Sequence, residues 1–229
     1  MVYVEDLWKR YSGAWALRGV SLTVARGRVL GVLGENGSGK STLLRILAGV
    51  TRPTRGRSRI GEVETGFATK RVVSFLPEVD PFYSWMRVGE QLAFLSSFHA
   101  TWDAGRARRL LEFMNLPEDR KVGALSRGQR ARLKVVSAFS WSPEVVLMDE
   151  PLGGIDPPSR RRILDSFFNE FRHPGQTVLI STHLVSDVEP FIEEVLLLRD
   201  GETFASGRTE QLQQEHGRSL SEIFEMAVA

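Results

Sequence analysis

"GENGSGKST" runs from Gly34 to Thr42. Before it, Val29–Leu33 reads as an apolar strand; after it, Lys40–Ala48 reads as a helix halted by Gly49. Strand, glycine-rich loop and helix in that order, with Gly34, Gly39, Lys40 and Ser41 in register with G-x-x-x-x-G-K-[ST], make a phosphate loop. Glycine lets the backbone curl until several N–H groups converge on phosphate oxygens. Gly34, Asn36, Gly37, Ser38 and Gly39 are the cradle candidates. Lys40 is placed to reach the β- and γ-phosphates, Ser41 to ligate Mg²⁺ and Thr42 to contact the α-phosphate. The stretch implies a nucleoside triphosphate held by an α/β fold.

Outward from the loop, the pattern agrees. Val2–Trp8 and Val20–Val24 read as early strands, with turns at Gly13, Gly19 and Gly27. Val72–Leu76 is a strand running into Pro77, and a mostly helical stretch follows, with Asp103–Asn115 and Gln129–Ser140 as its clearest helices. Strand and helix then alternate through Val145–Met148, Ser159–Glu170, Thr177–Ile180, Leu184–Phe191 and Val195–Leu198. Such alternation predicts a mainly parallel sheet with helical crossovers. A helical lobe inserted at about 80–145 fits, and Thr209–Ala229 reads as two short amphipathic helices.

The composition allows one large domain or a domain with a lobe, with a sizeable core, in a chain of 229 residues. A net charge of +2 gives no global field for nucleic acid or an anionic membrane. Without cysteine, disulfides and thiolate chemistry are excluded. No apolar run approaches the roughly 20 residues that cross a bilayer, and MVYVEDLWKRY lacks the plan of a signal peptide. The expectation is a soluble, intracellular protein.

Binding a triphosphate is not hydrolysing it; that needs a metal anchor and a group that orients water. "VVLMDEP", Val145–Pro151, ends a strand with both: Asp149 for the metal and Glu150 to polarise the attacking water. "VLISTH" ends another strand with His183, where an α/β sheet has its ligand crevice, and His183 is read as a γ-phosphate contact. A third feature is "LSRGQRARL", Leu125–Leu133, which opens a helix with serine, glycine and glutamine. Helix N-termini attract anions, yet the phosphate loop lies far upstream. The run Arg127–Lys134, like Arg106, Arg108 and Arg109, reads as a solvated face rather than a nucleic-acid patch.

With GENGSGKST, LSRGQ, VVLMDEP, GGIDP and ISTH in this order, nearly the whole chain resembles the nucleotide-binding subunit of ATP-binding-cassette (ABC) transporters. The resemblance implies a P-loop NTPase (RecA-like) core, an N-terminal antiparallel β subdomain and the helical lobe, all as one ABC ATPase domain over 1–229. It implies ATP and Mg²⁺ as ligands. It also answers the question of the anion: the signature helix would meet ATP held by a second ABC subunit, in a homodimer or heterodimer. Ser126 and Gly128 would touch the γ-phosphate, with Gln129 near the ribose or the loop. Tyr11 matches the aromatic that stacks on adenine, with Trp15 nearby as an alternative, and Asp156 matches the loop that contacts the opposite subunit. Glu78 stands where most members have glutamine and remains a hard oxygen ligand for Mg²⁺. Arg127 stands in the signature where the family has glycine, just before Gly128.

The nearest look-alikes are short bacterial, often exporter-type, ATPase subunits whose membrane part is a separate polypeptide. The implied function is an ATP-hydrolysing motor for an integral membrane permease, at the cytoplasmic face of the cell membrane. The alternative is a soluble ABC ATPase with an assembly or regulatory role. No long coiled coil separates the phosphate loop from the signature, so nucleic acid is not an expected partner. Phe82, Tyr83, Trp85 and Met86 make an aromatic loop, part lobe core and part groove for a coupling helix.

Overall fold

The computed structural model describes residues 1–228. Two sheets sandwich one helix. The smaller sheet is antiparallel, with strands β1 (Val2–Tyr11), β2 (Ala14–Val24), β4 (Arg55–Ile60) and β5 (Val63–Glu64) in the order β2-β1-β4-β5. The larger holds β3 (Val29–Leu33), β6 (Val73–Leu76), β7 (Val145–Asp149), β8 (Thr177–Thr182), β9 (Glu194–Arg199) and β10 (Glu202–Arg208), ordered β10-β9-β3-β8-β7-β6. Within it β9, β3, β8, β7 and β6 run parallel, and β10 closes one edge antiparallel to β9.

The central strands are mostly apolar because both faces are covered, with Asp149, Thr177, Ser181 and Thr182 as buried polar exceptions. Period-two alternation divides them between two cores. Leu30, Val32, Val145, Leu147, Leu179, Leu196 and Leu198 face α1 (Lys40–Leu47), whose other neighbours are Val4, Leu7, Leu17 and Val20 of the antiparallel sheet. Val29, Leu33, Val146, Met148, Val178, Ile180, Val195 and Leu197 face the second core. There they meet α3 (Ala104–Phe113), α4 (Arg127–Phe139), α5 (Pro157–Ser166), α6 (Val185–Val188), α7 (Thr209–His216) and α8 (Leu220–Val228).

Between β6 and β7 lie α2 (Val88–Ser96), α3 and α4, the helical stretch expected from the sequence. Asp103 caps α3 by accepting from the Arg106 N–H. Four expectations are corrected. Gly19 is no turn: with φ +71° it makes a bulge within β2, where Leu7 pairs Val20 but Lys9 pairs Leu17. The helix expected over Ser159–Glu170 changes to a π-helix at Phe167–Phe171, and that expected over Leu184–Phe191 is one α turn followed by a 3₁₀ turn with Pro190. Arg106 and Lys134 are not solvated; they are 8% and 6% exposed. The second of the two expected C-terminal helices is described as far as Val228, and Ala229 lies outside the described residues.

Candidate functional site

β3 delivers the chain to Gly34 at the carboxyl end of the parallel sheet, where φ is +152° and a Cβ would come within 2.4 Å of the Leu198 carbonyl and the Ser38 hydroxyl. At Gly39, φ is +106° and a Cβ would press the Ala16 carbonyl of β2 at 2.6 Å. Glycine is thus required at both ends of the loop, by backbone conformation and by close approach. The second contact also seats the β1–β2 hairpin beside the loop. Tyr11, the last residue of β1, is 41% exposed, with the Lys9 ammonium 4.7 Å from its ring centre.

Lys40 folds back over the loop. Its ammonium donates to the Gly34 carbonyl at 2.7 Å and the Glu35 carbonyl at 2.9 Å, and lies 4.0 Å from Glu150 Oε1. Burial lowers its pKa, while the carboxylates of Glu150, Asp149, Glu78 and Glu35 act in the opposite sense. A buried ammonium held by two carbonyls keeps a donor and its charge for an incoming anion.

Asp149 ends β7 with no exposed surface. Its Oδ1 accepts from Ser41 at 2.8 Å and from Ser181 at 2.7 Å, whereas Oδ2 is buried without a partner. Ser38 Oγ is also buried and unpartnered. Such orphaned groups are costly in an apolar surround and mark places built for a ligand. No cluster of three or more His, Asp or Glu side chains that could hold a metal occurs among the described residues. The donor set is therefore a carboxylate, a hydroxyl and a phosphate cradle, which suits Mg²⁺, an ion that keeps waters and takes phosphate oxygens. Ser41 and Asp149 fit it.

Glu150 follows in the left-handed region, φ +45°, an uncommon conformation for a non-glycine residue and one that recurs at functional sites. Its N–H donates to the carbonyl and the hydroxyl of Ser181. Its Oε1 accepts from the His183 N–H at 3.1 Å and meets His183 Nδ1 at 2.9 Å. The carboxylate is largely enclosed, while the imidazole is half exposed. Asn36, Glu78, Glu150 and His183 line one side of a cleft of about 450 Å³, and Arg127, Arg130 and Lys134 of α4 line the other, with Asp80 and Gly153.

Ser126, Gly128 and Gln129 are not among the walls of that cleft. Ser126 caps α4 reciprocally with Gln129: the Gln129 N–H donates to Ser126 Oγ at 3.2 Å and the Ser126 N–H to Gln129 Oε1 at 3.0 Å. This capping box explains why serine and glutamine stand three apart. The Ser126 hydroxyl hydrogen remains free to donate. Asp156 is likewise a cap; it accepts from the Ser159 N–H at 3.0 Å ahead of Pro157 and Pro158, and those bonds hold its carboxyl below the usual range. Two features of the site escaped the sequence reading: the bond from Ser181 to Asp149 and the enclosure of Lys134. Ser181 sits inside the quoted ISTH, and a serine directly after the apolar run Val178–Ile180 was the available signal. Lys134 shares a helical face with buried Ala131 and Ala138, but alanines at that spacing do not by themselves distinguish a buried face from a solvated one. Arg127 lies across Gly154, where a Cβ would meet its side chain at 2.7 Å.

Comparison with known proteins gives the same answer from another direction. The family model for ABC transporters matches residues 17–153. An ABC transporter ATP-binding protein of Bacillus subtilis, YxlF, is 33% identical over 94% of this chain and 73% of its own length. The solved structure of an ATP-binding subunit of an ABC transporter superposes with a TM-score of 0.88 at 25% identity, covering 100% of both chains. The dimeric ATP-binding cassette MJ0796, in a post-hydrolysis state with ADP and Pi, has the same fold, with a TM-score of 0.79 at 24% identity over 91% of this chain and 98% of that one. A phosphate loop, a buried aspartate and its neighbouring glutamate at the end of one parallel sheet are shared by many ATPases, but the matched model, the relative and the superposition agree on one group: this chain belongs to the family of ABC transporter ATP-binding subunits.

Proposed function

We propose that the chain is an Mg²⁺-dependent ATPase that closes as a dimer around ATP and energises a separate integral membrane permease at the cytoplasmic face of the cell membrane. The observation that carries the reading is the tie from Lys40 through Glu150 to His183, beside the pair Ser41 and Asp149. In this reading 1–229 is one ABC ATPase domain and the segment at about 80–145 its helical lobe.

The loop from Gly34 through Asn36, Gly37, Ser38 and Gly39 binds the triphosphate with backbone N–H groups, with Thr42 on the α-phosphate, and Lys40 neutralises the β- and γ-phosphates. Ser41, Asp149 and Glu78 hold Mg²⁺, which when bound draws negative charge from the phosphoryl oxygens. Glu150 accepts the proton of the attacking water. His183, its Nδ1 engaged by Glu150, presents Nε2 to the γ-phosphate. Tyr11 stacks on adenine. Ser126, Gly128 and Gln129 belong to the partner's nucleotide, and Asp156 to the contact between subunits. The cassette MJ0796, which shares the fold, is dimeric with ADP and Pi, and this supports a dimeric reading.

For the permease, support comes from the lobe. Trp85, Tyr83, Phe94 and Phe98 are exposed, with successive ring centres in that order 5.1–5.8 Å apart. Phe82, by contrast, packs on the core. Exposed aromatics in contact are anchors for a docking helix. No helix among the described residues is long and apolar enough to cross a membrane. The test is ATPase rate against protein concentration. Specific activity rises through the dimer constant if Lys40 and Ser126 serve one composite site; a constant rate from a proven monomer overturns the reading.

A further inference from the structure

Lys134 is a buried cation that the reading above leaves without a task. It lies on α4, eight residues after the cap Ser126, so about 12 Å along the helix axis at 1.5 Å per residue. Its neighbours Leu133, Val135 and Val136 are core residues. A lysine among them loses hydration that an alanine or leucine would not, and is tolerated only where strong partners replace water.

Those partners are two backbone carbonyls. The ammonium donates to Pro77 O at 2.8 Å and to Glu78 O at 3.0 Å. Both residues follow the end of β6, where the ladder with β7 has stopped at Leu76. Among the described residues no backbone N–H of a turn or loop reaches either carbonyl. The charged groups around the ammonium are Asp80, Glu78, Asp149 and Arg127. A few residues nearer the start of α4, Arg130 reaches Asp80 Oδ2 at 3.5 Å. Helix and loop are thus joined at two levels, and Lys134 is the tie that grips the residue bearing the candidate metal carboxylate.

We propose that Lys134 is a positioning residue: it fastens the Pro77–Glu78 backbone to the helix that begins at Ser126, so that the Glu78 carboxylate travels with that helix toward or away from the metal. The inference rests on the ATPase reading, with Glu78 on Mg²⁺. A rigid α4 then makes the cap at Ser126 and the backbone at Glu78 two ends of one lever. Any movement that brings Ser126 to a partner's nucleotide moves Glu78 in its own subunit by the same element. The ammonium also sets a positive charge beside Glu78 and Asp80, which lowers the repulsion a triphosphate meets on entering the cleft.

The test is a double-mutant comparison read by calorimetry as the ratio of ATP affinity with Mg²⁺ to that with EDTA, alongside kcat. Lys134→Met keeps a stem of the same length, lacking only the terminal nitrogen, and so removes donors and charge. In the wild-type background it lowers the affinity ratio and kcat by about ten-fold, the size of a coupling between contacting residues. In a Glu78→Ala background, with no carboxylate left to position, the same change alters both by less than about two-fold. Lys134→Arg, which keeps donors and charge, restores most of the ratio. A merely structural lysine costs the same in both backgrounds, and that result overturns the inference while leaving the ATPase reading intact. A wild-type protein without Mg²⁺-dependent hydrolysis overturns the reading itself. Should Lys134→Met lose its cooperative unfolding transition, Lys134→Gln, shorter, uncharged and left with only an amide donor, runs the same comparison. A loss in the wild-type background that disappears in Glu78→Ala supports the tie, and an equal loss in both overturns it.

Discussion

Glu150 and His183 are joined at two points: one carboxylate oxygen takes the backbone N–H of His183 at 3.1 Å and lies 2.9 Å from Nδ1 of its ring. The pair closes a gap between two neighbouring parallel strands, because β7 ends at Asp149 and β8 at Thr182. The backbone half of the tie survives any neutral acceptor at 150. The proton-accepting half does not.

Glu150→Gln is therefore expected to keep its shape and its bond from the His183 N–H while losing turnover. A group that moves or orients a proton contributes on the order of 10²–10⁴-fold, and kcat should fall by that much with ATP affinity little changed. Single-turnover hydrolysis together with nucleotide binding checks this; a rate within a few-fold of wild type would remove Glu150 from the chemistry.

Lys40→Ala should act on binding itself. The ammonium bridges the Gly34 and Glu35 carbonyls before any ligand arrives, so its loss removes charge and loosens the loop together. Hydrogen bonds to charged groups contribute about 1.5–3 kcal/mol, which predicts ATP binding weaker by roughly ten- to a hundred-fold. Calorimetric titration measures it, and an unchanged Kd rules the role out.

Glu78 should make nucleotide binding more metal-dependent than glutamine would. It pairs with no arginine among the described residues, and its side chain lines the cleft with Glu150 and Asn36. Without Mg²⁺, a carboxylate about 4 Å from a phosphate oxygen costs roughly 4 kcal/mol at an effective dielectric near 20, and with Mg²⁺ between them it becomes a ligand. ATP affinities with Mg²⁺ and with EDTA, in wild type and Glu78→Gln, give two ratios; equal ratios place Glu78 off the metal.

Acid should loosen the helix start at Asp156. Hydrogen bonds from Ser159 hold that carboxyl below its ordinary range, so around the ordinary value of about 3.9 the folded chain binds fewer protons than the unfolded one. The stabilisation is present above the unfolded pKa and is lost as pH falls through the lowered, folded value. Asp156→Asn keeps a capping oxygen that does not titrate. The difference in urea midpoint between wild type and Asp156→Asn should hold from pH 7 to 5 and shift against wild type below about 3.9; a difference independent of pH shows that Asp156 does not titrate with folding.

Much of this protein was legible in the sequence because its signals are local. A phosphate loop announces itself by where glycine, lysine and serine stand, and all of Gly34, Lys40 and Ser41 are set by the turn between one strand and one helix. The apolar runs within β3, β7, β8 and β9 are readable as strands because burial on both faces leaves few polar positions in them, chiefly towards the strand ends. The capping box at Ser126 and Gln129 is equally local, a three-residue spacing.

What only the tertiary structure decided is long-range. β4, rich in arginine and glycine, is a strand because β1 lies beside it, with Val2 opposite Ile60 and Glu5 opposite Arg57. No periodicity within Arg55–Ile60 carries that pairing. The burial of Lys134 and Arg106 is of the same kind. Each sits in a run of charges that, by itself, reads as solvated helix surface. Lys134 is buried because the end of β6, more than fifty residues earlier, offers two carbonyls, and Arg106 because Phe171 and His173, far later in the chain, meet it. Composition and spacing name the groups that can hold a phosphate; which cation is enclosed, and which carbonyl it faces, depends on strands that meet only when the sheet closes.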